Sequence, residues 1–142
     1  MAVQSVRRIL TCTDRSPTAD RAVAWAADMA ARYEAELVVV QVLLPGSEGG
    51  VKVAEAGLEE LGGRIGFDVQ PRVVVSDDPA TAIVRAVEDE RVDIVVVGNV
   101  GMSGRKEFLL GNVPNRVSHN ARCTVVIVNT IEEPRRRFGR RR

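Results

Sequence analysis

Aromatic residues make up only 4% of this 142-residue chain, and histidine occurs once. So few rings leave no stacking platform of the kind that holds single-stranded nucleic acid. The two cysteines, Cys12 and Cys123, form no C-x-x-C pair, and with His119 they are too few to build a zinc site. Cys12 falls inside an apolar strand pattern, where a reduced and buried thiol is expected rather than a disulfide. No apolar stretch approaches the roughly 20 residues needed to span a bilayer. The N-terminus lacks a basic segment followed by a hydrophobic secretory core. A cytoplasmic protein without membrane insertion is expected. No Gly-Lys-Ser/Thr and no G-x-G-x-x-G occurs, which excludes a Walker A loop and the dinucleotide fingerprint.

What the chain does have is valine and alanine. With 45% apolar and 27% charged residues its composition is ordinary for a globular protein, and its length suits one domain. The formal net charge is +1, but six of the 20 cations are Arg135, Arg136, Arg137, Arg140, Arg141 and Arg142. Without them 14 cations face 19 acids, so the body is acidic and offers no basic nucleic-acid surface. The chain divides into a domain over 1–130 and an arginine-rich tail over 131–142, for which disorder is expected. The tail could attract RNA, DNA or an anionic membrane by charge alone; no recognition element supports specific nucleic-acid contact.

Five strand-like runs alternate with four helix-like ones. The strands are expected over Arg7 to Thr13, Leu37 to Leu44, Asp68 to Val75, Asp93 to Val97 and Thr124 to Asn129. Ser16-Pro17 and Asp78-Pro79 each pair an N-cap with a proline in the first helical turn. The second helix is expected from Val51 to Leu61, with Gly62-Gly63 as its C-cap, and the last from Asn112 to Asn120. Trp25 and Met29 are expected to pack the first helix. Such alternation predicts an α/β fold: one open five-stranded parallel sheet, order 3-2-1-4-5, with helices on both faces.

In open parallel sheets, ligands bind beyond the carboxyl ends of the strands, where the strand order reverses. The predicted order places the first and fourth strands side by side, bringing Asp14 and Gly98 together. Asp14 could accept hydrogen bonds from a ribose, or it could simply help cap the first helix. Gly98, Gly101, Gly104 and Gly111 follow the most apolar strand and precede a helix, an arrangement that suits phosphate but also an ordinary long turn.

Gly98-x-x-Gly101, nine residues, then Gly111-Asn112 resembles the nucleotide-binding pattern of the universal stress protein family, the UspA domain. Ile9 to Ser16 resembles that family's opening strand and Asp-x-Ser turn; Val39-Val40-Gln41-Val42 is similar to its second strand, where many members have histidine at Gln41. Asp78 to Ile83 and Val125 to Val128 resemble its third helix and closing strand, so the likeness covers residues 5 to 129. It implies a Rossmann-like fold of the adenine nucleotide alpha hydrolase type. It also implies a stress-response sensor or regulator that binds ATP or another adenine nucleotide, with a divalent metal such as Mg or Mn accompanying ATP. By that resemblance Asp14 and Gly98 hold the ribose. Cys12, Thr13 and the main chain of Val42 frame the adenine, while Gly101, Gly111, Asn112 and Val113 surround the phosphates.

Asn112 stands where the family has serine or threonine. Its amide can donate to phosphate and cap a helix, but it lacks the small hydroxyl that fits beside a phosphate and metal. Gly98-Asn99-Val100-Gly101 resembles the turn of members that bind cyclic AMP, whose single charge needs fewer donors. The resemblance further implies a homodimer through the last strand, Thr124 to Asn129, and a regulatory protein partner. No general base or nucleophile is placed for turnover, so no catalytic residue is expected. The alternatives are an interaction module without nucleotide and a slow ATPase. Arg105 and Lys106 could reach a polyphosphate or lie in a solvated loop. Asp77-Asp78 lacks the companions that a phosphoryl-accepting pocket needs.

Overall fold

The apolar runs form five strands in the computed structural model, which describes residues 5–99 and 113–130. They are β1 (Arg8–Cys12), β2 (Glu36–Leu43), β3 (Val69–Val75), β4 (Ile94–Gly98) and β5 (Thr124–Val128). Among the described residues four α-helices alternate with them: α1 (Pro17–Tyr33), α2 (Val51–Ile65), α3 (Pro79–Glu90) and α4 (Val113–Asn120). A 3-10 turn, Glu48–Gly50, precedes α2. The strands are parallel throughout and lie in the order β3-β2-β1-β4-β5, as the alternation predicts.

Alternate strand residues face opposite helix layers. Ile9, Leu37, Val39 and Val96 bury against Val23, Ala26 and Ala30 of α1 and Leu58 of α2. Leu10, Val38, Val40, Val95 and Val97 bury against Ile83 and Val87 of α3 and Val117 of α4. The alanine-rich face of α1 lets that helix lie close to the β-branched sheet. Each fully buried Ile, Leu or Val contributes about 1.5–3 kcal/mol relative to an exposed one. Met29 packs against the first core, whereas Trp25 is 37% exposed.

Both Ser/Asp-Pro signatures start helices as expected. Ser16 accepts from the Ala19 amide at 3.3 Å and Asp78 from the Thr81 amide at 3.4 Å. The end of α2 differs from expectation. The helix runs through Gly62-Gly63 to Ile65 and stops at Gly66, whose φ of 87° is left-handed. Gly62 is a packing glycine instead: a β-carbon there would lie 2.9 Å from both the Phe67 carbonyl oxygen and Val69 Cγ2. Sequence pattern alone does not separate these two uses of glycine.

Candidate functional site at the carboxyl end of the sheet

β1 is bounded by β2 on one side and β4 on the other, and the chain crosses from one half of the sheet to the other around it. Cys12 is in register with Val40 and Thr11 with Val96. Two residues further on, Thr13 and Gly98 therefore lie at one level beside the crevice, with Val42 on the β2 side. The Thr13 amide donates to the Val40 carbonyl at 2.9 Å, which carries the pairing one residue past β1. Cys12, Thr13, Asp14, Val42 and Gly98 are thus gathered at one edge. Val113, 5% exposed, begins α4 and packs into the core on the α3 face. Gly101, Gly111 and Asn112 lie outside the described residues, as do Arg105, Lys106 and the arginine tail.

Asp14 performs the capping work that its position allows: its Oδ1 accepts from the Ser16 amide at 2.9 Å. Its second carboxylate oxygen makes no hydrogen bond to a described residue. The group is thus held by one oxygen and presents the other, so the capping role and a ligand role are compatible.

The neighbouring Arg15 has a φ of 71°, unusual for a residue with a side chain. Its guanidinium reaches Asp20 of α1, with Nε at 3.2 Å from Oδ1, and its Nη1 donates to the Gly57 carbonyl of α2 at 3.1 Å. The 2%-exposed Thr13 completes this group: its hydroxyl donates to Asp20 Oδ1 and accepts from the Arg15 amide, each at 2.8 Å. Sequence reasoning missed this arrangement. Its only trace is an arginine in the middle of an Asp-x-Ser turn, and backbone handedness is not written in residue types.

Gly98 has a packing reason to be glycine. A β-carbon there would lie 3.2 Å from Thr130 Cγ2 and 3.8 Å from Ala22 Cβ of α1. Thr130 is held over it by Asn99, whose Oδ1 accepts from the Thr130 amide at 2.9 Å, and by Arg21, whose Nη1 donates to the Thr130 carbonyl at 2.7 Å. Asn99 and Thr130 were also missed, because one lies within the glycine segment and the other just beyond the last strand.

Charge around this edge is settled largely by pairing. Burial, with a smaller contribution from the Asp14 carboxylate, pushes the Cys12 thiol up to about 12. Part of the residue reaches the surface, but the sulfur is desolvated, so Cys12 stays protonated and unreactive at neutral pH. Both cysteines are free. Asp78 is bidentate with Arg116 of α4 at 2.8 and 3.0 Å, which holds its carboxyl at about 2. It thereby joins the starts of α3 and α4 and is not part of an acidic pocket. His119 occupies the last turn of α4, a favourable place for a cation.

A cavity of about 500 Å³ opens between the end of β2 and α2, with Arg15, Gln41, Leu43 and Val53 among its walls. A groove of about 340 Å³ between α3 and α4 is walled by Ala80, Thr81 and Arg116, and none of the described residues that line it is a strand end. The strand-end edge remains the candidate site because the switch in strand order converges there. Among the described residues no group of three or more His, Cys, Asp or Glu is placed to hold a metal. No helix among them is long and apolar enough to cross a membrane.

Residues 5–129 match the model of the Universal stress protein family. The chain belongs to that family. It is 36% identical over 132 residues to universal stress protein Rv2005c of Mycobacterium tuberculosis, a match that covers 84% of this chain and 44% of that protein. A shorter stretch of 63 residues is 43% identical to Rv1636 of the same organism and covers 44% of this chain and 42% of that one. These matches span less than half the length of the mycobacterial relatives. Among solved structures, a universal stress protein in complex with cAMP superposes with a TM-score of 0.75 at 30% identity, covering 90% of this chain and 100% of that chain. The universal stress protein of Archaeoglobus fulgidus in complex with dAMP, at 18% identity and a TM-score of 0.68, covers 89% of this chain and 100% of that one and shares the fold.

Proposed function

We propose that this universal stress protein binds an adenine nucleotide at the carboxyl ends of β1, β2 and β4 and acts as a stress-response sensor or regulator. The observation that carries this reading is the convergence of Asp14 and Gly98 at the switch point, with one Asp14 oxygen unengaged by any described residue. The cAMP complex of a 30%-identical relative supports an adenine ligand. A carboxylate oxygen with no partner among the described residues suits a ribose hydroxyl. Asp14 and Gly98 would hold the ribose, and Cys12, Thr13 and the Val42 main chain the adenine. Gly101, Gly111, Asn112 and Val113 would take the phosphates, with amides at the start of α4 facing the anion. Asn112 favours a cyclic or singly phosphorylated ligand over ATP with a divalent metal.

Turnover is not part of this reading: among the described residues the Cys12 thiol is held protonated, Asp78 is committed to Arg116, and Asp14 is assigned to the ribose. Calorimetric titration of ATP, AMP and cyclic AMP into dialysed protein tests the proposal. Binding that disappears in Asp14→Ala and Gly101→Val supports it, and no heat with any of the three overturns it. Steady phosphate release abolished by Gly111→Val would establish the slow ATPase instead.

A homodimer through Thr124 to Asn129 belongs to the same reading. Among the described residues β5 pairs only with β4, and Ile127 on it is 49% exposed, an apolar edge of the kind that proteins usually protect. Ile127→Lys should convert a dimer into a monomer by light scattering. A wild type that is monomeric at tens of micromolar would remove this part of the proposal.

A further inference from the structure

Asp14, the residue proposed to meet the ribose, is flanked on both sides by a network that its own side chain does not enter. Thr13 precedes it and Arg15 follows it, and both converge on one carboxylate, Asp20 of α1. The Thr13 hydroxyl donates to Asp20 Oδ1 at 2.8 Å, while Arg15 Nε and Nη2 donate to Asp20 Oδ1 and Oδ2 at 3.2 and 3.4 Å. A third link closes the ring, since the Arg15 amide donates to the Thr13 hydroxyl at 2.8 Å. Beyond it, the guanidinium reaches α2 through the Gly57 carbonyl at 3.1 Å. A β-carbon on Gly57 would lie 3.0 Å from Arg15 Nη1, so this glycine leaves room for the contact.

The loop adopts this shape against local preference. Arg15 has a φ of 71°, a region that glycine occupies freely and arginine does not. A residue held there is over-determined by its surroundings, and such strain clusters at ligand-binding positions. The surroundings here are the four guanidinium hydrogen bonds to Asp20 and Gly57. Arg15 and Asp20 have side chains only 27% and 22% exposed, so the pair is shielded from much of the solvent that would loosen it.

We infer that Asp20 and Arg15 are positioning residues that hold the Thr13-Asp14-Arg15 turn so that the second Asp14 carboxylate oxygen faces the ribose. The inference rests on the nucleotide reading and adds to it a clamp that ties ribose selection to the packing of α1 and α2. Its signature is selectivity for the sugar, which a general loss of stability would not produce.

The test compares the ligand that the wild type binds, cyclic AMP or ATP, with its 2′-deoxy analogue, in wild type, Asp14→Ala, Asp20→Asn and Arg15→Gly. Asp20→Asn keeps the size of the side chain and removes its charge. Arg15→Gly removes the guanidinium while relieving the backbone, so its melting temperature should hold. The wild type should prefer the ribonucleotide by about tenfold or more, the worth of a hydrogen bond to a charged group. Asp14→Ala should erase that preference, and Asp20→Asn and Arg15→Gly should each lower it several-fold. Asp14→Ala combined with Asp20→Asn should lose no more than Asp14→Ala alone. Full preference in both clamp variants, with loss in Asp14→Ala, would overturn the inference and leave the nucleotide reading intact. A wild type that binds neither ligand would overturn both.

Discussion

Gly98 lies directly beneath Thr130, at a distance where a β-carbon would come within 3.2 Å of the threonine methyl. Thr130 has little freedom to retreat, because Asn99 and Arg21 hold its amide and carbonyl. In an open strand Gly→Ala is stabilising, so the sign at this position reports the crowding. Gly98→Ala should destabilise the protein by about 1–2 kcal/mol in urea denaturation. Adding Thr130→Ser, which removes the methyl, should recover most of the loss. A Gly98→Ala protein as stable as wild type would show that the strand end is roomier than the contact indicates.

Gly62 and Gly63 are adjacent in α2 and should respond with opposite signs. A β-carbon on Gly62 meets the Phe67 carbonyl and Val69, whereas one on Gly63 meets nothing within 4 Å. Gly62→Ala should cost about 1–3 kcal/mol by overpacking the contact with β3. Gly63→Ala should add about 0.5–1 kcal/mol through helix propensity. Chemical denaturation of the two variants checks the pair, and equal shifts would contradict the packing assigned to Gly62.

Asp78 should make the stability of the domain depend on acidic pH. Its carboxyl lies at about 2 in the folded protein, against an ordinary 3.8, mainly because Arg116 hydrogen-bonds it. A folded value below the unfolded one contributes stability above 3.8 and loses it as pH falls towards about 2. Asp78→Asn keeps the helix cap and removes the charge. Its melting temperature should therefore fall below wild type at neutral pH, modestly because the pair is partly exposed. The gap should close as pH drops through that window. A gap unchanged down to pH ~2 would separate the pair from acid sensitivity.

Much of the site was legible because its markers are chemical. Asp14 closes an apolar run, Gly98 ends the most apolar one, and Ser16-Pro17 and Asp78-Pro79 each announce a helix. The α2 boundary was not legible, because a capping glycine and a packing glycine are the same letter. Only the approach of Phe67 and Val69 distinguishes Gly62 from Gly66. Arg15 was invisible for a related reason: its left-handed backbone is imposed by Asp20 and by Gly57, which is 42 positions away along the chain.

The sequence by itself determined the alternation of strands and helices, the parallel sheet and the edge at which the candidate site lies. Those follow from periodicity and capping, which act over a few residues. Only the tertiary structure decided which side chains hold the Asp14 turn, why Gly98 has no side chain and how α3 is tied to α4. Those depend on close approach between residues remote in the chain, which no local pattern records.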